Sequence, residues 1–171
     1  MEFGPSQFTF ENIKFNSSLE EIVSKTKVDL DCKDVQLQKL VIYGEGAPAS
    51  PCSSKAGQLG RLVVQLPSLF TGNSLLVNHN NEKKTIQFDR KEAKYGIVYA
   101  AHLSNCGVEM APLEDGFRTF LVYDLMSEDL EIRFKDFEEK RKITAGISST
   151  LSKVMYLVRI TYLLCFFITS K

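Results

Sequence analysis

An all-β fold is the expectation for this chain, and three observations carry it. Short apolar runs of strand length follow one another from Leu59 to Leu125. Turn residues separate these runs at short intervals, and no helical period intervenes between two of them. Such spacing belongs to a sandwich, a jelly roll or a barrel, and the missing strand–helix–strand alternation excludes a parallel doubly wound sheet.

Taken in order, Phe8 to Phe15 has period-two apolar spacing and reads as a short strand. Ser18 and Glu21 have the spacing of a capping box, which opens a short helix running to about Lys27. Val35 to Tyr43 alternates and then turns continuously apolar, as a half-buried strand entering a core does. Gly44 to Gln58 is rich in glycine, proline and serine and carries no aromatic residue, which makes it a long loop.

The core strands are then expected at Arg61–Leu66, Ser74–Asn78, Lys84–Asp89, Tyr95–His102, Gly107–Ala111 and Phe117–Asp124. Pro67-Ser68, Thr71-Gly72-Asn73, Asn78 to Asn81, Asn105 with Gly107, and Glu114-Asp115-Gly116 mark the turns between them. Beyond Asp124, Glu128 to Lys142 is strongly charged with Leu130, Phe134 and Phe137 on one helical face. Val154 to Ile168 is nearly all apolar, interrupted by Arg159. The reading is therefore residues 1–34 as an N-terminal strand and helix, 35–125 as the β core, and 126–171 as a charged helix and apolar tail.

Composition narrows the function classes. The 171 residues fit one domain with 44% hydrophobic and 25% charged side chains. Lys plus Arg and Asp plus Glu are both 21, so no basic surplus favours nucleic acid as a partner. A zero net charge gives little repulsion between copies, which leaves room for a protein partner. Cys32, Cys52, Cys106 and Cys165 lack zinc-ligand spacing and read as free thiols of a reducing compartment. The first residues carry no basic region followed by an apolar run, so a cytoplasmic protein is expected. At about 15 residues the apolar tail is shorter than the roughly 20 that span a bilayer. Its central arginine adds about 2.5–3.5 kcal/mol to insertion. A buried tail is thus the first reading of 154–168 and a membrane tail anchor the second.

Three segments carry more specific wording. They are Leu59 to Gly72 (LGRLVVQLPSLFTG) with Leu75 to His79 following, Tyr99 to Cys106 (YAAHLSNC), and Ala111 to Leu125 (APLEDGFRTFLVYDL). In this order they resemble the prolyl-4-hydroxylase-type branch of the 2-oxoglutarate/iron(II) dioxygenases. In that branch a GxLVVQLPSxFTGGxLxVxH stretch precedes AAFYSDCxHEVxPVxxGxRxxLxYxL. The likeness runs from about Leu40 to Leu125. It implies a double-stranded β-helix, a cupin-like jelly roll, flanked here by the short N-terminal helix and the helical C-terminal segment.

The resemblance also implies a chemistry, and the chain departs from it. These enzymes hold Fe(II) with two histidines and a carboxylate, leaving positions for 2-oxoglutarate and oxygen. The first two ligands form His-x-Asp in the loop after the strand ending near Tyr43; here Gly44 to Gln58 has neither histidine nor aspartate. The distal histidine stands ten residues before a basic residue that pairs with the 2-oxoglutarate carboxylate. Arg118, in Gly116-Phe117-Arg118, matches the basic residue, and counting back gives Val108 at the metal position. Valine offers a metal no lone pair. His79 matches a non-ligand histidine of the family, and His102 falls where an aromatic residue stands, neither position facing the iron.

Arg118 is accordingly the cosubstrate-binding candidate, with an ion pair to an acid such as Asp124 as its structural alternative. Tyr43 is a second candidate contact to the cosubstrate; Tyr43, Tyr99 and Tyr123 otherwise read as packing positions on core strands. Cys106 reads as a small packing residue whose nearest histidine in sequence, His102, is four positions away. Glu109, Glu114 and Asp115 read as surface and turn acids. The expected function is a dioxygenase-like domain without catalytic or metal residues, an inactive pseudoenzyme that holds neither iron nor 2-oxoglutarate tightly. An active oxygenase with displaced ligands and a membrane-tethered interaction protein are the alternatives.

Overall fold

The computed structural model describes residues 1–46, 55–72, 74–79, 82–88, 94–130, 134–136, 139 and 156–161. It opens with β1 (Glu2–Phe3), a single 3-10 turn at Pro5–Gln7, and α1 (Ile13–Asp29). The core strands follow: β2 (Asp34–Tyr43), β3 (Gln58–Gln65), β4 (Phe70–Gly72), β5 (Ser74–His79) and β6 (Glu82–Gln87). After them come β7 (Ile97–Leu103), β8 (Gly107–Met110), β9 (Leu113–Gly116), β10 (Arg118–Met126) and β11 (Tyr156–Thr161). The chain is thus mostly antiparallel β-sheet.

The N-terminal segment departs from expectation. No strand forms over Phe8–Phe15; the helix starts at Ile13, capped by the Asn12 side chain, which accepts from Phe15 N at 3.2 Å. Phe15, Leu19, Ile22 and Thr26 are its buried residues, a helical stripe that the period-two reading of the preceding phenylalanines obscured. Phe8 and Phe10 instead stack edge-on at 5.4 Å and pack, half-buried, against the core. Ser18 and Glu21 form no capping box. Ser17 and Ser18 lie inside the helix and donate to the Ile13 and Lys14 carbonyls.

Six strands form one sheet in the order β1-β2-β10-β3-β7-β11, with every adjacent pair antiparallel. Along it Tyr43 faces Arg118, Val41 faces Phe120, Phe120 faces Gln65 and Arg61 faces His102. Because side chains alternate across a sheet, these registers fix its two faces. One carries Leu62, Val64, Tyr99, Ala101, Leu121 and Tyr123, which share a buried cluster with Phe15, Leu19 and Ile22 of α1. The other carries Val41, Tyr43, Arg61, Val63, His102, Phe120 and Val122, and turns towards a second sheet.

That second layer is the three-stranded sheet β6-β5-β8, accompanied by the pair β4-β9. Glu114-Asp115-Gly116 belongs to β9, not to a free turn, because its backbone pairs with Phe70 to Gly72. Gly116 has φ +86, and a Cβ there would lie 2.2 Å from the Leu69 carbonyl, so the pairing requires glycine. The boundaries of β3 and β7 also shift: β3 starts at Gln58, and Tyr95 is exposed ahead of β7. The ends of several expected segments, namely 47–54, Asn73, Asn80-Asn81 and Asp89, lie outside the described residues.

Downstream of the core, Leu130, Phe134 to Asp136 and Glu139 are helical, and Leu130 and Phe134 pack against the core on the face the sequence marks. Phe137 and the basic run 140–142 lie outside the described residues. Within the apolar tail, Tyr156–Thr161 is a strand on the edge of the six-stranded sheet, with Tyr156 opposite His102 and Thr161 opposite Ile97. Residues 162–168 are outside the described ones. Among the described residues no helix is long and apolar enough to cross a membrane.

Candidate functional site

Between the six-stranded sheet and the β5–β8 layer lies a cavity of about 560 Å³. That volume is within the roughly 300–1,000 Å³ usual for small-molecule sites. Val41, Val63, Leu75, Val108, Phe120 and Val122 make most of its wall aliphatic or aromatic. Lys39, Tyr43, Gln58, Arg61, His102, Ser104, Cys106 and Glu109 add polar groups, and Glu109 is exposed, which puts the wall of β8 at the surface.

Behind two of these groups, Gln58 and Arg61, lies Asp124, a residue only 2% exposed. Its carboxylate accepts from Gln58 Nε2 at 2.8 Å, Lys55 Nζ at 3.0 Å and Arg61 Nε at 3.3 Å. The Ser104 hydroxyl donates to the Gln58 carbonyl at 2.8 Å, tying the β7–β8 turn to the start of β3. Gly60 makes this corner possible: a Cβ there would sit 2.2 Å from the His102 carbonyl. So the acid that pairs with a strand arginine is Asp124, as the sequence suggests, but its arginine is Arg61 and not Arg118.

Arg118 is fully buried on β10 and is not among the described residues lining the cavity. Its guanidinium lies 3.9 Å from the Phe120 ring centroid, 4.3 Å from Phe88 and 5.3 Å from Phe70. Stacking of a planar cation on aromatic faces holds the side chain there. Tyr43 does line the cavity, with its ring edge-on to Phe120 at 5.9 Å. Tyr99 and Tyr123 are buried in the core cluster on the opposite face, and burial pushes the Tyr123 phenol up to about 12.

Val108 sits on β8 opposite Val77 and contributes its isopropyl group to the cavity wall. The position that the resemblance assigns to a distal iron ligand is therefore aliphatic. Among the described residues, no group of three or more His, Cys, Asp and Glu side chains is placed to hold a metal.

Both histidines come to the cavity wall or to a residue of it. His102 lines it, buried, with Nδ1 3.1 Å from the Leu103 carbonyl. Burial pushes its imidazole below the ordinary value; the Leu103 hydrogen bond opposes this and the Arg61 charge adds to it. The ring is therefore neutral at pH 7, with Nδ1 donating and Nε2 presenting a lone pair. His79, at the end of β5, places Nδ1 3.8 Å from the Cys106 sulfur. Sequence distance conceals this pair, since 27 residues separate its members. The β5–β8 register, which sets Asn78 opposite Gly107, brings them together. Cys32 and Cys106 are buried, while Cys52 and Cys165 lie outside the described residues.

No protein-family model matches this chain, and no curated protein or solved structure is significantly similar to it.

Proposed function

We propose that this domain is a degenerate 2-oxoglutarate/iron(II) dioxygenase of the prolyl-4-hydroxylase type, a scaffold without iron chemistry that acts as a binding module through its cavity. The observation that carries the reading is Val108 on the cavity wall, at the position where such an enzyme has its distal iron histidine. The absence of histidine and aspartate from Gly44 to Gln58 removes the other two ligands from their expected loop.

Strand pairing supports the jelly-roll part of the reading. A jelly roll is a long antiparallel hairpin rolled up, so its strands pair in a nested way, first with last. Here β2 pairs with β10, β4 with β9, and β5 with β8, each inside the previous pair. Outside this series β3 lies between β10 and β7 in the six-stranded sheet. Arg118, stacked among three phenyl rings, serves packing in this reading, and the cavity presents Tyr43, His102 and Ser104 to a small ligand or a partner's side chain.

The test is a thermal melt of the full chain, run anaerobically alone, with manganese(II), with 2-oxoglutarate, and with both. A ligand specific for the folded state adds about 2.7 kcal/mol at a hundred times its dissociation constant. No shift is expected in any arm. A shift that needs metal and 2-oxoglutarate together would overturn the iron-free reading and restore an active oxygenase.

A further inference from the structure

The mechanism of an oxygenase has no use for a thiol, yet the wall of this cavity carries one beside an imidazole. Cys106 is 9% exposed and lines the cavity, and its sulfur lies 3.8 Å from Nδ1 of His79. The thiolate, not the thiol, is the nucleophile, and an imidazole within reach of the S–H is the group that takes the proton. The thiol also lies 3.8 Å from Asn105 Oδ1, and the cavity wall it belongs to includes Val108 and Met110 of β8 and Leu75 of β5. A soft nucleophile in an apolar pocket selects a soft, small, uncharged partner.

We propose that Cys106 and His79 form a covalent capture site for small α,β-unsaturated carbonyl compounds that enter the cavity. His79 takes the thiol proton, and the sulfur adds to the β-carbon of the acceptor. One S–C bond forms, the C=C π bond is lost, and the proton passes to the α-carbon. Nothing leaves and no oxidant is consumed, so the adduct balances as a simple thioether. The other titratable groups on this wall are Lys39, Tyr43, Arg61, His102 and Glu109. Cys32, the other described thiol, has its sulfur 3.9 Å from the Lys27 carbonyl, and burial pushes it up; it is the internal contrast. The capture site stands apart from the iron-free reading: a metal-dependent melting shift would sink that reading and leave adduct formation untouched.

The experiment uses N-ethylmaleimide as the acceptor on the full chain, with adducts located by peptide mass spectrometry. In the folded protein at pH 6, Cys106 is expected to react about tenfold faster than the same cysteine in concentrated urea, because an unassisted thiol is almost wholly protonated there. The folded-state rate is expected to rise less steeply from pH 6 to 8 than the urea rate, which rises about tenfold per pH unit. His79→Gln is expected to abolish the advantage. A maleimide carried on a long polyethylene glycol chain is expected to react far more slowly than the small probe. A folded Cys106 slower than the denatured one would mark a merely buried thiol and overturn the proposal. So would equal rates for the small and the bulky probe. Should His79→Gln fail to melt cooperatively, the pH profile of the unmodified chain decides alone.

Discussion

At the residue scale, one buried acid ties together polar groups of the cavity wall. Asp124 accepts from Gln58, Lys55 and Arg61, and its loss leaves Arg61, whose side chain is 12% exposed, without this countercharge. Breaking a buried pair from one side costs about 3 kcal/mol or more. For a chain of this size that corresponds to a melting temperature lower by about 10 °C. Asp124→Ala is therefore expected to show such a drop in a calorimetric melt, and Asp124→Asn a smaller one, because an amide oxygen still accepts from Gln58. Asp124 is visible in the sequence as an acid on a core strand. Its choice of Arg61 over Arg118 is not, because it is set by the β3–β10 register, in which Asp124 faces Arg61.

At the scale of the element, α1 shows how a local signal is outweighed by a neighbouring one. Two patterns compete between Phe8 and Ile22, the alternation of phenylalanines and the helical spacing of Phe15, Leu19 and Ile22. The helix wins because its stripe is longer and the outer face of the sheet accepts it, with Asn12 closing the first turn. Removing that cap by Asn12→Ala is expected to cost about 1 kcal/mol, read as a shifted midpoint in urea unfolding. A change below a few tenths of that value would mean the packed stripe alone fixes the helix start. The strands were easier to read than the helix. Their apolar runs are continuous where both faces are buried, as in β3 and β7, and turn residues bound them. The β4–β9 pair was not readable, since Glu114-Asp115-Gly116 has turn composition and becomes a strand only because Phe70–Gly72 lies alongside.

At the scale of the whole molecule, burial of ionisable groups sets the pH range of stability. His102 has its folded value below the unfolded one because burial disfavours the imidazolium. Its unfolded state thus binds more protons as pH falls below about 6.5, and stability is lost in that direction. Tyr123, pushed up to about 12, acts at the other end. Its contribution is complete below the ordinary phenol value of about 10 and is lost as pH rises towards the folded value. Melting temperatures measured from pH 4 to 11 are expected to form a plateau that falls on both sides. His102→Gln is expected to flatten the acid side, and an unchanged acid limb in that variant would assign it to other groups.

The sequence by itself determined the mostly β class, most strand positions, the lack of histidine and aspartate from Gly44 to Gln58, and the valine at the position that the resemblance gives to a metal ligand. These are local properties, legible because period, turn chemistry and residue type are all written along the chain. Only the tertiary structure decided that Arg118 stacks among Phe70, Phe88 and Phe120 instead of lining the cavity. It also decided that Tyr156–Thr161 joins the sheet beside β7 and that His79 meets Cys106. Each of these is a contact between segments far apart in the chain. Register and sheet order fix such contacts, and a one-residue slip in register would turn every one of those side chains to the other face.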